Sequence, residues 1–451
     1  MIFLPLLSEK VGFMHIIRLV IVLFFIFNNV PLSARHFNNK SIDTSGMKAD
    51  TGSYKVKWLL NDKEKNSRVI SWALFPAFND NDGFMSGFSF TNSTYENPQK
   101  LSFAVTPIYS IKNFRLLGQV WVNYDHFQTQ GALSRISYRA GVKSFDFNSN
   151  GKFDYCQRYT RIDPSITFHF RHTSSSEKHS QIYLKSYFIL EDDAIFNNGV
   201  YSGLDSKNNY IQKIEYKIDV TDELQSSEIK LALEYQAYAS ENYLKMTAIA
   251  DQRYLYAPKK NLFFRFFASG FILNTQRTSG SYQNVFTRGS IALIHQGFND
   301  YTYDEYFFSR QNQSGFQDDQ VSLSHGGGFK TPLGSAYSIG MSNHFAAALN
   351  FSCDLPFRLP SWIKVYFDVG TYSTRSGTKF QNNFLYNGGL SFNFKDIAAL
   401  HIPLVYSKDL GNVYKGSHRD FSSRLSFTLN LHKLDFWNGT KSYKFIKKQV
   451  K

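Results

Sequence analysis

The chain holds twelve histidines, and none is followed by glutamate. The His-Glu-x-x-His motif, which places two imidazoles and a general base around zinc, is therefore absent. No Gly-x-Ser-x-Gly turn presents a nucleophilic serine, and no Gly-x-x-x-x-Gly-Lys-Ser/Thr loop offers backbone amides to a phosphate. Weaker constellations remain. His325 precedes Gly326, Gly327 and Gly328, where a ligand role competes with that of a loop histidine beside a tight backbone turn. Asp304, Glu305, Asp318 and Asp319 could hold a hard cation through oxygen. Their spacing fits no fixed metal loop, and solvated loop acids are the default reading. His169 and Arg171 share one face of a polar strand; a hydrolase built there needs a serine and an acid in register. The most suggestive group is Arg310 beside Tyr306 and Phe307, with His325 downstream. Its guanidinium could anchor a plug or loop by pairing with an acid such as Glu215, Glu228 or Glu234; a solvent-facing loop arginine is the other reading. No catalytic, cofactor or metal residue is assigned, and no cofactor is expected.

The elements that must position these residues are strands. In Phe421 to Leu431 (Phe-Ser-Ser-Arg-Leu-Ser-Phe-Thr-Leu-Asn-Leu), Leu425, Phe427, Leu429 and Leu431 alternate with Arg424, Ser426, Thr428 and Asn430. Successive side chains of a strand point to opposite faces. An apolar face opposite a polar one, at about 10 residues, suits a tilted strand crossing a bilayer. The same alternation recurs upstream. Ile229, Leu231, Leu233 and Tyr235 oppose Glu228, Lys230, Ala232 and Glu234, and Val365, Phe367 and Val369 oppose Lys364, Tyr366 and Asp368. So many charged faces need water on one side. The opposite faces, rich in Phe, Tyr and Leu, favour lipid over the core of a soluble sandwich. Closure would also remove the edges of so many strands. The expectation is an all-β fold: a transmembrane antiparallel β-barrel of sixteen strands, with fourteen and eighteen as neighbouring counts and no helical segment.

Composition agrees. Of 451 residues, 17% are aromatic (44 Phe and 28 Tyr) and only 19% charged. Aromatics suit strands and the girdles of membrane barrels. A mean hydropathy of −0.32 excludes a helical membrane protein but fits a barrel with a polar lumen. The net charge of +14 raises nucleic acid as a partner. The basic residues are scattered, however, apart from the C-terminal tail, and could equally meet anionic head groups; no nucleic-acid partner is expected. Cys156 and Cys353 show no metal-type spacing, and one disulfide or two free thiols are equally compatible with it.

In chain order, residues 1–34 read as a signal peptide, with initiation at Met14 as an alternative start. Met14 to Arg18 is basic, Leu19 to Phe27 apolar, and Asn28 to Ala34 resembles a cleavage region; an uncleaved anchor is the competing reading. Residues 35–66 form a polar periplasmic lead-in, 67–437 the barrel, and 438–451 a basic tail. Residues 300–334 break the alternation. Their aromatics and glycines argue for an ordered loop folded over or into the lumen. Phe436 and Trp437 are expected at the periplasmic membrane interface.

Four segments carry a resemblance: Phe75 to Gly87 (Phe-Pro-Ala-Phe-Asn-Asp-Asn-Asp-Gly-Phe-Met-Ser-Gly), Val105 to Ser110, Arg310 to Phe316 with His325 to Lys330, and Pro403 to Leu410. With Leu429 to Phe436 they resemble the C-terminal outer-membrane β-region of bacterial membrane alanyl aminopeptidase-related (gluzincin) proteins. The resemblance spans about residues 67–437. In that family a zinc peptidase domain precedes the β-region; here a leader and lead-in stand in its place, so no catalytic residue carries over. The resulting expectation is a non-enzymatic barrel of the cell outer membrane, embedded in its lipid, acting as a channel or as a platform for a periplasmic or surface protein partner. The alternatives are the barrel half of a split or truncated metallopeptidase and a soluble secreted all-β binding protein.

Overall fold

The computed structural model describes residues 55–58, 69–92, 100–151, 155–172, 177–222, 224–238, 241–275, 289–311, 315–333, 339–356, 359–376, 379–394, 397–416 and 421–430. The leader, Phe436, Trp437 and the basic tail lie outside them. The strands are β1 Lys55–Trp58, β2 Val69–Asn79, β3 Gly83–Thr91, β4 Leu101–Ser110, β5 Arg115–Phe127, β6 Leu133–Asn150, β7 Tyr155–Ile162, β8 Ser165–Phe170, β9 Glu177–Asn197, β10 Val200–Thr221, β11 Gln225–Tyr238, β12 Glu241–Ala257 and β13 Lys260–Asn274. Four two-residue strands follow: β14 Ile291–Ala292, β15 His295–Gln296, β16 Val321–Ser322 and β17 Met341–Ser342. The wall resumes with β18 Phe345–Asp354, β19 Ile363–Ser376, β20 Lys379–Phe394, β21 Ala398–Tyr406 and β22 Ser426–Leu429.

Eighteen of these strands form one sheet. β7 and β8 lie end to end between β6 and β9, and β1 adds in parallel to β2. Sixteen antiparallel wall positions remain among the described residues. Turn chemistry sets the hairpins. Asn198 and Gly199, at φ 51° and 80°, make the tight left-handed turn that joins β9 to β10. At the β2–β3 turn, Asn79 accepts from the Asp82 amide at 2.6 Å, and Gly83 takes φ 64°.

The burial is inside out. Along β11, Leu231 is 50% exposed whereas Glu234 and Gln236 are 7% and 1% exposed. Phe367 is exposed beside Asp368, which is fully buried, and Phe84 and Phe88 are exposed while Ser89 is buried. A water-soluble protein buries its apolar faces; here they form the outer band, which hydrocarbon must cover. No helix of the described residues is long and apolar enough to cross a membrane; the crossing elements are strands.

The sheet curls completely. Residues of the segment 291–333 bond to the β2–β3 turn (Gln311 to Asn81), β7 (Thr302 to Arg161), β11 (Tyr301 to Glu234) and β19 (Lys330 to Asp368). The same segment reaches β22, where Phe316 stacks on Phe427. One short segment can touch strands from both ends of a sheet only if the sheet wraps around it. Between β2 and β22 the described residues hold no ladder. β1 covers Val69 to Trp72 on the β2 edge, and the segment bridges the seam elsewhere: the Asp80 amide donates to the Phe308 carbonyl at 2.7 Å, and Gln320 forms a parallel bridge with Phe427.

Three expectations change. Among the described residues the last strand is the four of Ser426–Leu429, not the eleven expected from Phe421 to Leu431: Ser422–Arg424 forms a 3-10 helix, and only Ser426 to Leu429 pair with β21. Its faces keep the expected sense, with Ser426 buried. A helix, α1, spans Lys408–Gly416 with Leu410, Val413 and Tyr414 buried; that spacing is helical, not period 2. The lead-in also carries the strand β1.

Candidate functional site: a lumen filled by an internal loop

The segment from β14 to β17 enters the barrel and builds its own small framework. β14 pairs with β17 and β15 with β16. The three glycines after His325 allow the chain to lie directly on residues 292 and 293. The Gly327 amide donates to the Ala292 carbonyl at 2.9 Å, and that of Phe329 to Leu293 at 3.2 Å. Gly326 sits at φ 61°, and a Cβ there would lie 2.4 Å from the Ala292 carbonyl oxygen, so only glycine fits. Leu293, Ile294, Phe329 and Leu333 are fully buried and pack on lumen-facing Phe267, Ala348 and Leu385. Thr331 hydrogen-bonds Tyr414 of α1.

Charge fixes the segment to opposite walls. On one side Asp304 meets Arg161 at 2.9 Å and Lys185 at 3.1 Å, and accepts from Tyr187 at 2.6 Å. Arg161 also donates to the Thr302 carbonyl at 2.7 Å, and Lys143 to that of Tyr303 at 3.1 Å. On the other side the polarity reverses: Lys330 of the loop meets Asp368 at 2.7 Å. Arg265 donates to the carbonyls of Ser324 and Gly326 at 3.1 and 3.3 Å. Burial alone would raise the Asp304 carboxyl, but Lys185 and Arg161 outweigh it and hold the group well below the usual carboxylate range. Breaking one partner of such a buried pair leaves an uncompensated charge, at a cost of about 3–5 kcal/mol.

Of the groups singled out in the sequence, His169 and Arg171 lie at β8, whereas the Arg310 cluster, His325 and the four loop acids lie in this segment. Arg310 sits inside it but does not reach Glu215, Glu228 or Glu234. It pairs with Asp300 at 3.2 Å, donates to the Glu305 carbonyl at 2.7 Å, and lies over the rings of Tyr303 and Phe307. The three wall acids are engaged elsewhere: Glu215 with Lys213, Glu228 with Lys217 and Lys230, and Glu234 with Lys245, Tyr243 and Tyr301. Arg310 therefore braces the loop internally, while Asp304 anchors it. Tyr306 donates to the Phe78 carbonyl at the seam, and Phe307 is buried beside His295. His325 pairs with Glu305 at 3.0 Å; burial would lower its pKa, but the carboxylate raises it overall. Asp304 and Glu305 are thus paired groups, not solvated acids, and among the described residues no three His, Cys, Asp or Glu side chains form a metal-holding group.

Beyond the loop, a cavity of about 540 Å³ opens among β4 to β11, lined by Asp125, Arg135, Ser137 and His169. The serine and acid that a hydrolase requires are present, but in the wrong order. Ser137 Oγ donates to Asp125 at 2.5 Å and lies 3.2 Å from His169 Nε2, which Arg135 approaches at 3.1 Å. In a working triad the histidine lies between acid and serine. Here a guanidinium crowds the nitrogen that would have to take the serine proton. The thiols are separate, Cys156 beside Asp146 and Cys353 beside the Asp354 carbonyl.

Sequence reasoning missed Arg161, Lys185, Tyr187, Arg265 and Asp368. Each looks like any other lumen-facing polar residue, and only the three-dimensional convergence on one loop distinguishes them. These features define a membrane-spanning β-barrel whose lumen is occupied by a segment of its own chain. No protein-family model matches the chain, and no curated protein sequence is similar to it. Among solved structures it is similar to CdiB from Acinetobacter baumannii, at 10% identity and a TM-score of 0.34, over 75% of this chain and 56% of that one. It is also similar to BamA from Haemophilus ducreyi lacking POTRA domains 1–3, at 7% identity and a TM-score of 0.39, over 82% and 73% of the two chains. The chain thus spans little more than half the length of the first. Both superpositions are loose; the barrel assignment rests on the ladder and on the burial pattern.

Proposed function

We propose that the protein is a non-enzymatic barrel of the outer membrane, a passage held shut by residues 291–333 and opened when a protein partner or cargo displaces them. The observation that carries this reading is the two-sided anchoring of the segment, with Asp304 on Arg161 and Lys185 and Lys330 on Asp368. A loop needed only to cap a barrel does not require buried ion pairs to opposite walls. By the habit of short periplasmic turns and long outer loops, the segment enters from the outer side. The resemblance to aminopeptidase-related β-regions supports the barrel and not a peptidase. Its segments around Asn79 to Gly83, Arg310 and His325 to Lys330 are architectural: they build a turn, a brace and a glycine contact.

Two measurements test the proposal. The protein should fractionate with outer membranes and migrate differently before and after boiling. Liposomes containing it should admit small solutes slowly, and faster by an order of magnitude when Arg161 is replaced by Gln. Protein that is soluble without detergent and co-migrates in both states would sink the barrel; equal influx for the two proteins would sink the plug.

A further inference from the structure

Thr302, Tyr303 and Asp304 are held the way a bound peptide is held. Their partners come from β6, β7 and β9, one continuous patch of wall. Arg161 donates to the Thr302 carbonyl at 2.7 Å and to the Asp304 carboxylate at 2.9 Å. Lys143 donates to the Tyr303 carbonyl at 3.1 Å, and Lys185 and Tyr187 complete the carboxylate's shell. The Tyr303 ring lies flat on Tyr159, with centroids 3.8 Å apart and planes at 13°, and meets the edge of Phe147 at 5.8 Å. Its hydroxyl donates to Glu191 at 2.9 Å. Backbone carbonyl, aromatic ring and carboxylate are each read by a separate wall group.

Two further facts set this patch apart from ordinary packing. Tyr303 is at φ 52°, a left-handed conformation that bulky residues rarely adopt and that surrounding contacts must impose. The wall cations are Lys143, Arg161 and Lys185, and the wall acids in reach are Asp163, 3.1 Å from Arg161 and 3.0 Å from Lys185, and Glu191. Asp304 supplies the third acid. With the loop withdrawn, Arg161 and Lys185 lose the Asp304 carboxylate and share only that of Asp163. Such a site favours a replacement carboxylate.

We infer that this patch is a peptide-binding site for an aromatic residue followed by an acidic one, and that Thr302 to Asp304 is its built-in occupant. A cargo or partner chain carrying that pair would compete with the loop and free one anchor of the plug. The inference rests on the reading of the segment as a plug.

The test uses full-length protein in detergent and in planar bilayers, with the capped tripeptide Thr-Tyr-Asp as probe and capped Thr-Tyr-Asn and Thr-Ala-Asp as controls. The double variant Tyr303→Ala, Asp304→Ala empties the patch; heat-dependent migration reports whether it folds. Thr-Tyr-Asp should bind this variant at least tenfold more tightly than the parent, and both controls should lose most of that gain. In the parent, a large excess of Thr-Tyr-Asp should raise the open fraction at least tenfold, which keeps the test available if the variant does not fold. Equal binding to variant and parent, or equal action of all three peptides, overturns the inference. The plug reading is judged separately, by whether the double variant conducts more than the parent without any peptide.

Discussion

Replacing Asp304 by Asn removes one charge and almost no volume. Its side chain is 24% exposed, whereas those of Arg161 and Lys185 are 8% and 10% exposed. The three groups are therefore largely desolvated, and deleting the acid strands two cations. The loss is softened because both cations keep Asp163, at 3.1 and 3.0 Å. The cost should fall at the low end of the range for broken buried pairs, about 3 kcal/mol. That corresponds to about a hundredfold shift between docked and withdrawn loop, at ~1.4 kcal/mol per factor of ten. The assay is open fraction in planar bilayers, with Lys207→Gln as control. Lys207 pairs with Asp193 where both side chains are about two-fifths exposed, and such pairs contribute under about 1 kcal/mol. An open fraction for Asp304→Asn within about threefold of both parent and control would refute the anchoring argument, because a shift below ~1 kcal/mol is what an exposed pair would give.

Three more outcomes follow from the same contacts. Gly326→Ala places a Cβ 2.4 Å from the Ala292 carbonyl at a φ of 61°; it should loosen the loop by about 1–3 kcal/mol, seen as faster proteolysis within residues 291–333 and a higher open fraction. His325 has a raised pKa in the docked loop, so its contribution is complete below about pH 6.5 and fades as pH rises through the raised value. Burial and the neighbouring His325 lower His295 to about 4. Its contribution is complete above about 6.5 and is lost as pH falls toward 4. Conductance should therefore rise on both sides, with His325→Gln abolishing the alkaline arm and His295→Gln the acidic one; unchanged profiles would count against these assignments. Leu231→Arg, on a half-exposed outer position, should cost about 2–4 kcal/mol near the bilayer midplane in lipid refolding titrations. Lys230→Gln, facing the lumen beside Glu228, should cost under about 1 kcal/mol.

What could be read in advance was periodic. Alternation in β11 and β19 separated Leu231 and Phe367 from Glu234 and Asp368 without any knowledge of neighbours, since a strand sends consecutive residues to opposite faces. The same logic failed where alternation was not the cause of structure. Leu410, Val413 and Tyr414 repeat at three and four residues and coil into α1. Phe421 to Leu431 alternates well, yet the chain coils at Ser422–Arg424 and pairs with β21 only from Ser426 to Leu429, although β21 runs on to Tyr406. Pattern shows what a strand would look like; only pairing makes one.

The interior loop was legible as an interruption but not as a set of contacts. Arg310 stood out because it sits among aromatics, and it was natural to send it to the wall. The structure keeps it at home on Asp300 and gives the wall contact to Asp304, a residue with no local signature. The reason lies in reach. Arg161 and Asp304 are 143 positions apart in sequence, and their partnership follows only from the curl of the sheet. The same curl explains the seam. β2 and β22 are the ends of the antiparallel wall; β1 covers Val69 to Trp72 on the free edge of β2, and Phe308 and Gln320 of the loop meet Asp80 and Phe427 on either side of the gap. In hydrocarbon an unpaired strand edge costs several kcal/mol per backbone group. The segment that fills the lumen thus also satisfies part of the backbone at the seam, so moving it has consequences for the wall as well as for the passage.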